Sequence, residues 1–149
     1  MTVKAKPDGY HTITPYLVVE NAAGLIDFLE QAFDAKQIMR MDAPGGGVGH
    51  AELQIGDSRV MLGDAGGMHT PTRPMLHLYV DDVDAVYQCA LAAGATPEQP
   101  PTDQFYGDRS GGVKDAWGNL WWIATHVEDV PPDELRRRAE QAMGKSGGG

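Results

Sequence analysis

The sequence predicts an α+β fold in which two βαβββ modules pair into a curved mixed sheet around a cleft. One observation behind this prediction is an internal repeat, and another is that both halves follow the same order of strand, helix and hairpin. A third is size, because half of a 149-residue chain is too small to bury both faces of its own sheet. We therefore expect one domain over residues 1–149, with a core that the halves share.

The internal repeat begins at the first strand of each half. Residues 15–35 parallel residues 76–95, so that Val19 falls on Val80 and Asn21 falls on Asp82, 61 positions apart in both cases. The same offset carries Met61 onto Trp122 near the end of each half. A register that holds from the first strand to the last predicts a duplicated architecture.

Each half combines a short apolar strand, an Asx residue suited to cap a helix, and apolar residues at helical spacing. The helical positions are Ala22, Leu25, Ile26, Leu29 and Phe33, and then Val83, Val86, Tyr87, Ala90 and Leu91. Each half ends in a hairpin, over residues 51–62 and 112–124.

The predicted boundaries follow from these elements and from Gly and Pro. We expect module 1 at about 10–64, a linker at 65–74, module 2 at about 75–127 and a C-terminal helix at about 132–143. The linker is rich in Gly and Pro, which block regular structure. The final helix is indicated by two prolines followed by acidic residues in its first turn.

Composition narrows the class of protein. A net charge of −9 and a pI near 4.8 argue against nucleic acid as a partner, because phosphate contacts need a clustered basic surface. No apolar run approaches membrane-spanning length and the N-terminal residues lack a signal-peptide core, so we expect a cytoplasmic protein without a membrane partner. The lone Cys89 lies in an apolar helical run, which favours a buried structural thiol.

Alternation along the strands separates a helix-facing side from a cleft-facing side. The helix-facing set is apolar: Leu17, Val19, Val60, Leu62, Leu76, Leu78, Trp121 and Ile123. The cleft-facing set is Thr14, Tyr16, Val18, Arg59, Met61, Met75, His77, Tyr79, Leu120 and Trp122. A mixture of aromatic, sulfur-containing and a few polar groups is the usual lining of a small-molecule pocket. The ligand-binding candidates on these strands are Tyr16, Met61, Met75, His77, Tyr79 and Trp122.

Three polar residues are candidates for catalysis: His50, Glu52 and His77. The spacing of His50 and Glu52 puts both on one face of a strand, where the carboxylate can orient an imidazole that titrates near neutrality. The alternative is a histidine that is simply hydrogen-bonded within the wall of the cleft.

Two further ligand-binding candidates, Tyr106 and Arg109, lie in a Gly-rich loop that leads into a hairpin. Arg109 has two interpretations. It clamps a carboxylate or phosphate of a ligand, or it makes a structural salt bridge with Asp108 or Asp115.

Several of these segments resemble the vicinal oxygen chelate superfamily of glyoxalase, bleomycin-resistance and ring-cleaving dioxygenase proteins. They are the helix starts at 19–23 and 80–84 and the segment 115–123, which reads Asp-Ala-Trp-Gly-Asn-Leu-Trp-Trp-Ile. Segments 106–110 (Tyr-Gly-Asp-Arg-Ser) and 122–125 (Trp-Ile-Ala-Thr) look like the PhnB-like branch. The resemblance covers about residues 10–127. It implies the glyoxalase/bleomycin-resistance fold and a homodimer whose cleft is often completed across subunits.

The resemblance also bears on metals. In metal-dependent members, four cleft-facing positions supply the ligands, and the repeat register places them at Thr14, Met61, Met75 and Trp122. Hard divalent ions need oxygen or imidazole donors, which this set does not provide. We therefore expect no metal and no other cofactor at the standard site. A shift of two residues on the third strand would bring in His77, so a divalent ion held by His50, Glu52 and His77 is the alternative.

Two functional hypotheses follow. The first is a metal-free, homodimeric binding protein that holds an aromatic or cationic small molecule, for sequestration or antibiotic resistance. The second is an enzyme of the same superfamily: an isomerase, epimerase or lyase acting on a small carbonyl compound, with or without a divalent metal. In the second case His50, Glu52 or His77 would transfer the proton.

Overall fold

The chain is described here from a computed structural model, which covers residues 3–67 and 69–147. Its first half contains β1 (Tyr16–Val19), α1 (Ala22–Phe33), β2 (Lys36–Asp42), β3 (Val48–Ile55) and β4 (Ser58–Asp64). The second half contains β5 (Met75–Tyr79), α2 (Val83–Ala92), β6 (Thr96–Asp103), β7 (Asp108–Lys114) and β8 (Leu120–His126), and α3 (Pro132–Gly147) follows.

The strands form two four-stranded mixed sheets, ordered β1-β4-β3-β2 and β5-β8-β7-β6. In each sheet the first and last strands of the module pair in parallel, and the other pairs are antiparallel. Tyr16 lies opposite Met61 and His77 lies opposite Trp122, so the 61-residue offset of the repeat is also the offset of the strand register. The predicted fold class is confirmed.

The helices begin at the predicted capping residues. The Asn21 side chain accepts a hydrogen bond from the backbone N–H of Gly24, and the Asp82 side chain accepts one from Ala85. Each bond satisfies one of the backbone donors that the first turn of a helix leaves unpaired. The two caps are again 61 residues apart.

A second pair of residues ties the end of each module to the start of its helix. Asp64 at the end of β4 accepts the N–H of Ala22 at 2.7 Å, and Thr125 near the end of β8 accepts the N–H of Val83 at 2.9 Å. These residues also stand 61 positions apart. The duplication therefore extends to the polar contacts that fix each helix on its sheet.

The core lies between the sheets and the helices, and the two modules meet there through α1 and α2. Phe33 of α1 packs on Trp121 of β8 with ring centroids 5.0 Å apart, and the Trp117 indole donates to the backbone oxygen of Glu20. The predicted helix-facing set is confirmed. Leu17, Val19, Val60, Leu62, Trp121 and Ile123 are at most 5% exposed, and Leu76 and Leu78 are partly buried against the core.

The turn between β7 and β8 is organised around the buried carboxylate of Asp115. This carboxylate accepts hydrogen bonds from the backbone N–H groups of Trp117 and Asn119, from the Asn119 side-chain amide and from the Trp121 indole. A buried carboxylate needs several hydrogen-bond donors, and the polar and indole N–H groups of this segment supply them.

Two features differ from expectation. The sequence predicted a buried Cys89, but its side chain is exposed, because α2 covers its sheet with Val83, Tyr87 and Ala90, and Cys89 lies off that face. Strands β2 and β6 had not been assigned. None of the described helices has the length and apolarity needed to cross a membrane.

Candidate functional site

The side of the first sheet that faces away from the core carries a mixed set of side chains. Residues directly opposite each other on paired strands share a face, and those on this side alternate with the buried Leu53, Val60 and Leu62. We call it the first concave face: Tyr16, Met39, Met41, His50, Glu52, Gln54, Arg59 and Met61. Tyr16, Met39 and Met41 are 43%, 38% and 55% exposed, which is unusual for such large apolar side chains.

His50 lies at the centre of a hydrogen-bonded chain on this face. Its Nδ1 is 3.0 Å from the Tyr16 hydroxyl and its Nε2 is 2.8 Å from Oε2 of Glu52. With the ring proton on Nε2, a neutral His50 donates to Glu52 and accepts from Tyr16. The structure thus brings His50 and Glu52 together, as alternation on β3 predicted, and adds the Tyr16 hydroxyl.

The corresponding side of the second sheet is the second concave face: Met75, His77, Tyr79, Asp108, Ser110 and Trp122. Met75 and Tyr79 are 58% and 66% exposed, and the rings of His77 and Tyr79 are 4.9 Å apart. Trp122 lies against β7 at Gly112, where an added Cβ would be 2.5 Å from the indole. Only glycine at this position leaves room for the indole to lie along the sheet.

Asp108 links Tyr79 to His126. The Tyr79 hydroxyl donates to Asp108 Oδ2 at 2.9 Å, while Asp108 Oδ1 is 2.8 Å from Nδ1 of His126, whose Nε2 is 2.7 Å from Asp129. The hydrogen bond to Asp108 raises the pKa of Tyr79, with burial adding to the effect. The pKa of His126 is also raised, first by Asp108 and then by Asp129, because both carboxylates favour the charged imidazolium.

Arg109 lies on the other side of β7. Its Nε and Nη2 donate to the two carboxylate oxygens of Asp84 on α2, at 2.8 and 2.9 Å, and its Nη1 donates to Asp103. This pairing lowers the pKa of Asp84. The salt-bridge partners differ from the predicted Asp108 and Asp115, because alternation along β7 turns Arg109 toward α2.

Tyr106 lies in the turn between β6 and β7. Its ring packs edge-on against Phe105, with centroids 5.3 Å apart, and it is 38% exposed. The structure therefore brings neither Tyr106 nor Arg109 onto a concave face.

The four positions that the resemblance assigned to metal ligands carry a hydroxyl, two thioethers and an indole, which do not fit a hard divalent cation. Among the described residues, no group of three or more His, Cys, Asp or Glu side chains is arranged to hold a metal ion. His50 and Glu52 belong to the first sheet, whereas His77 packs on Tyr79 of the second. The alternative three-residue set is therefore not assembled within one described chain.

Two cavities adjoin the concave faces. A groove of about 860 Å³ runs between the modules, with Thr14 and Arg59 on one side and His77 and Tyr79 on the other. A smaller cavity of about 510 Å³ lies between the N-terminal segment and the first concave face and is lined by residues that include Tyr10, Glu52 and Met61. Of the predicted ligand-binding residues, His77 and Tyr79 line the groove and Met61 lines the smaller cavity.

Sequence reasoning missed four residues of this region: Tyr10, Met39, Met41 and His126. The two methionines alternate in the sequence, so assigning β2 would have found them. His126 was not among the candidates. No local pattern indicates that Tyr10, which precedes the first strand, folds back over the sheet.

The sequence profile of the Glyoxalase/Bleomycin resistance protein/Dioxygenase superfamily matches residues 9–123, which include strands of both sheets. The chain belongs to this superfamily. Among its relatives is an uncharacterized protein of Mycobacterium bovis. The two sequences are 39% identical over an alignment 160 residues long, which covers 100% of each chain.

Solved structures support the same superfamily fold. TioX from Micromonospora sp. ML1 is 28% identical, with a TM-score of 0.68 over 78% of this chain and 99% of its own. A PhnB protein from Bacillus cereus, described as a putative 3-demethylubiquinone-9 3-methyltransferase, is 22% identical, with a TM-score of 0.61 over 77% of this chain and 99% of its own. The second similarity bears on the fold alone.

Proposed function

We propose that this superfamily member is a small-molecule-binding protein of the bleomycin-resistance type, in the PhnB-like branch, that holds a planar aromatic or cationic ligand without a metal. The observation that carries the proposal is the exposure of large apolar side chains on the concave faces. Met41, Met75 and Tyr79 are each more than half exposed, while Leu53, Leu62 and Trp121 on the opposite sides of the central strands are at most 1% exposed. Sequestration of a toxic compound, as in antibiotic resistance, is the role that such a protein would serve.

The chemistry of these faces suits a planar guest. Methionine is flexible and polarizable and makes favourable contacts with aromatic rings, so several methionines form a surface that adapts to different shapes. Tyrosine and tryptophan rings stack on planar molecules and attract cations over their faces. The net charge of −9 adds a general attraction for cationic compounds.

A homodimer is part of the proposal. Members of the superfamily often dimerize, and their clefts are often completed by a second subunit. Large apolar side chains are exposed on both concave faces of this chain, and a second copy would cover them. We expect light scattering after size exclusion to give twice the 16.0 kDa chain mass; the mass of a single chain would exclude the dimer.

Binding is tested by titration calorimetry. The protein is titrated with proflavine, a planar aromatic cation, and separately with the neutral naphthalene-carboxamide. We expect saturable binding of at least one compound, about tenfold weaker in Met75→Gln because an amide is costly to desolvate against an aromatic guest. Met143→Gln on α3 is the matched control and should bind as the wild type does. Absence of saturable binding across a wider panel of aromatic and cationic compounds would exclude this function.

The Tyr16–His50–Glu52 chain favours a second candidate function. A histidine between a carboxylate and a hydroxyl is an arrangement that moves protons, with Glu52 orienting the ring and Tyr16 passing the proton to or from a substrate. Isomerisation, epimerisation or elimination of a small carbonyl compound needs such a step, with or without a metal ion.

Proton transfer is tested by deuterium exchange at the carbon next to the carbonyl in a panel of small ketones and oxo acids in heavy water. The enzyme hypothesis predicts exchange that slows by about a hundredfold or more in His50→Ala. His69→Ala removes an exposed histidine of the segment between the modules and serves as the control. Exchange that His50→Ala and His77→Ala both leave unchanged would exclude a catalytic role for these histidines.

A further inference from the structure

The Arg59 guanidinium on the first concave face has no ion-pair partner in the part of the chain that the structure describes. It lies on β4 directly opposite Gln54 of β3, and its Nε and Nη1 atoms are buried and make no hydrogen bond to any described residue. Its Cζ lies 5.1 Å from the centre of the Tyr10 ring. The ring holds the guanidinium in place but supplies no hydrogen-bond acceptor in its plane.

The groups beside Arg59 are also unsatisfied. The Tyr10 hydroxyl and Oε1 of Gln54 are buried without a hydrogen-bond partner among the described residues. Two nearby carboxylates make other bonds: Glu52 on β3 bonds to His50, and Asp57, in the turn between β3 and β4, accepts from the Ser58 hydroxyl. A partly buried charge without a counter-ion is costly, and a carboxylate or phosphate that paired with it would offset that cost.

Arg59 is placed where a ligand can reach it. It lines the groove between the modules, and Tyr10 lines the smaller cavity, while His11 and Thr14 line both. The N-terminal turn lies over the guanidinium at Gly9, where an added Cβ would be 2.4 Å from Nη2. Among the described residues, no hydrogen bond joins residues 3–14 to the rest of the chain, so this turn is held mainly by the contact between Tyr10 and Arg59.

We propose that Arg59, together with Tyr10, is an anion subsite that binds the carboxylate or phosphate group of the ligand. The guanidinium offers parallel N–H donors to such a group, and the Tyr10 hydroxyl offers another. This subsite rests on the proposed binding function for the remainder of the ligand. It narrows that ligand to a planar molecule that carries an acidic group.

The test compares naphthalene-carboxylate with its neutral carboxamide and with inorganic phosphate. The Nε–Hε resonance of Arg59 is followed by NMR and assigned by its loss in Arg59→Gln. The carboxylate and phosphate should shift this resonance, and calorimetry should show about tenfold or greater loss of carboxylate affinity in Arg59→Gln with no change for the carboxamide.

Two variants control for charge and for folding. Arg40→Gln removes the same charge from β2, where Arg40 is opposite Ala51 and pairs with Asp42, and it should retain carboxylate binding. Tyr10→Phe keeps the ring that holds the guanidinium and removes the hydroxyl, so carboxylate affinity should fall only a few-fold. Unfolding curves of all three variants should show that they remain folded.

The outcomes separate the subsite from the binding function. Equal affinity for carboxylate and carboxamide, independent of Arg59, would overturn the subsite and leave the binding cleft standing. A shift of Arg59 by phosphate, without binding of either aromatic compound, would support the subsite and remove the aromatic pocket. An Arg59 resonance that neither anion moves, or a dimer that Arg59→Gln dissociates, would overturn the subsite; the second result would identify the missing partner as a carboxylate of another copy.

Discussion

Asp108 is a buried carboxylate that joins β5, β7 and the end of β8. Only 4% of it is exposed, and it accepts from the Tyr79 hydroxyl while pairing with His126. The imidazolium form of His126 is favoured by Asp108 and, on the segment after β8, by Asp129, so the pKa of His126 is raised above its ordinary value. The charge state of His126 therefore affects stability.

The sign of this effect follows from linkage. Because the pKa of His126 is higher in the folded protein, its stabilising contribution is complete below the unfolded value of about 6.5 and is lost as pH rises through the folded value. We expect His126→Gln to lower the melting temperature more at about pH 6 than at about pH 9. Thermal unfolding of both proteins across this range measures the difference, and a difference that grows with pH would contradict the assigned pKa direction.

The candidate site could be predicted in part from single residues. Strand alternation brought His50, Glu52 and Met61 to one face because a period of two needs no knowledge of the tertiary fold. The partners of Arg109 could not be predicted, since they depend on where α2 crosses the sheet. The stacking of Tyr10 on Arg59 likewise depends on the path of an irregular segment, for which the sequence carries no periodic signal.

The two modules repeat each other in more than the order of their strands and helix. The 61-residue offset was visible in the sequence as aligned apolar runs, and the structure shows that it governs strand register and helix capping as well. Asp64 and Thr125 perform the same task in the two modules, although one is a carboxylate and the other a hydroxyl. Asp64 also accepts the N–H of Val48, so it fixes the start of β3 in addition to α1.

These contacts predict unequal costs of substitution. Asp64→Ala removes a charged acceptor of two backbone N–H groups and should lower the free energy of unfolding by about 2 kcal/mol. Thr125→Val removes a neutral hydroxyl that accepts from Val83 and donates to the Val80 carbonyl, and it should cost about 1 kcal/mol because both of its bonds join neutral groups. Urea unfolding measures both, with Thr102→Val on the edge strand β6 as the control, expected to change stability by less than about 0.5 kcal/mol. Equal, small effects at Asp64 and Thr125 would show that these bonds do not anchor the helices.

The edge strands explain why part of the fold was missed. β6 contains three prolines, at positions 97, 100 and 101, and proline argues against a strand wherever its missing N–H would be needed. At a sheet edge the missing donor faces away from the neighbouring strand, and the pairing of β6 with β7 is irregular at Gln99. β2 is the corresponding edge strand of the first sheet. All seven of its residues are exposed, so it lacks the one-sided apolar pattern of a half-buried strand.

In the whole molecule, the modules meet through α1 and α2, and large side chains on the concave faces of both sheets remain exposed. The core positions were predictable because each half repeats one apolar pattern. How the modules sit together was not, since it depends on ring contacts between distant residues such as Phe33 and Trp121. These faces carry the polar and sulfur-containing residues of the proposed ligand site.

The central claim is that the concave faces bind a small molecule, and methionine methyl NMR tests it most directly. With ¹³C-methyl-labelled methionine and naphthalene-carboxylate as the probe, we expect saturable shifts of the methyl resonances of Met39, Met41, Met61 and Met75. Met143 on α3 is 70% exposed and lies outside these faces, so its resonance should not move. Saturable binding that shifts Met143 and leaves the four concave-face methionines unchanged would contradict the account.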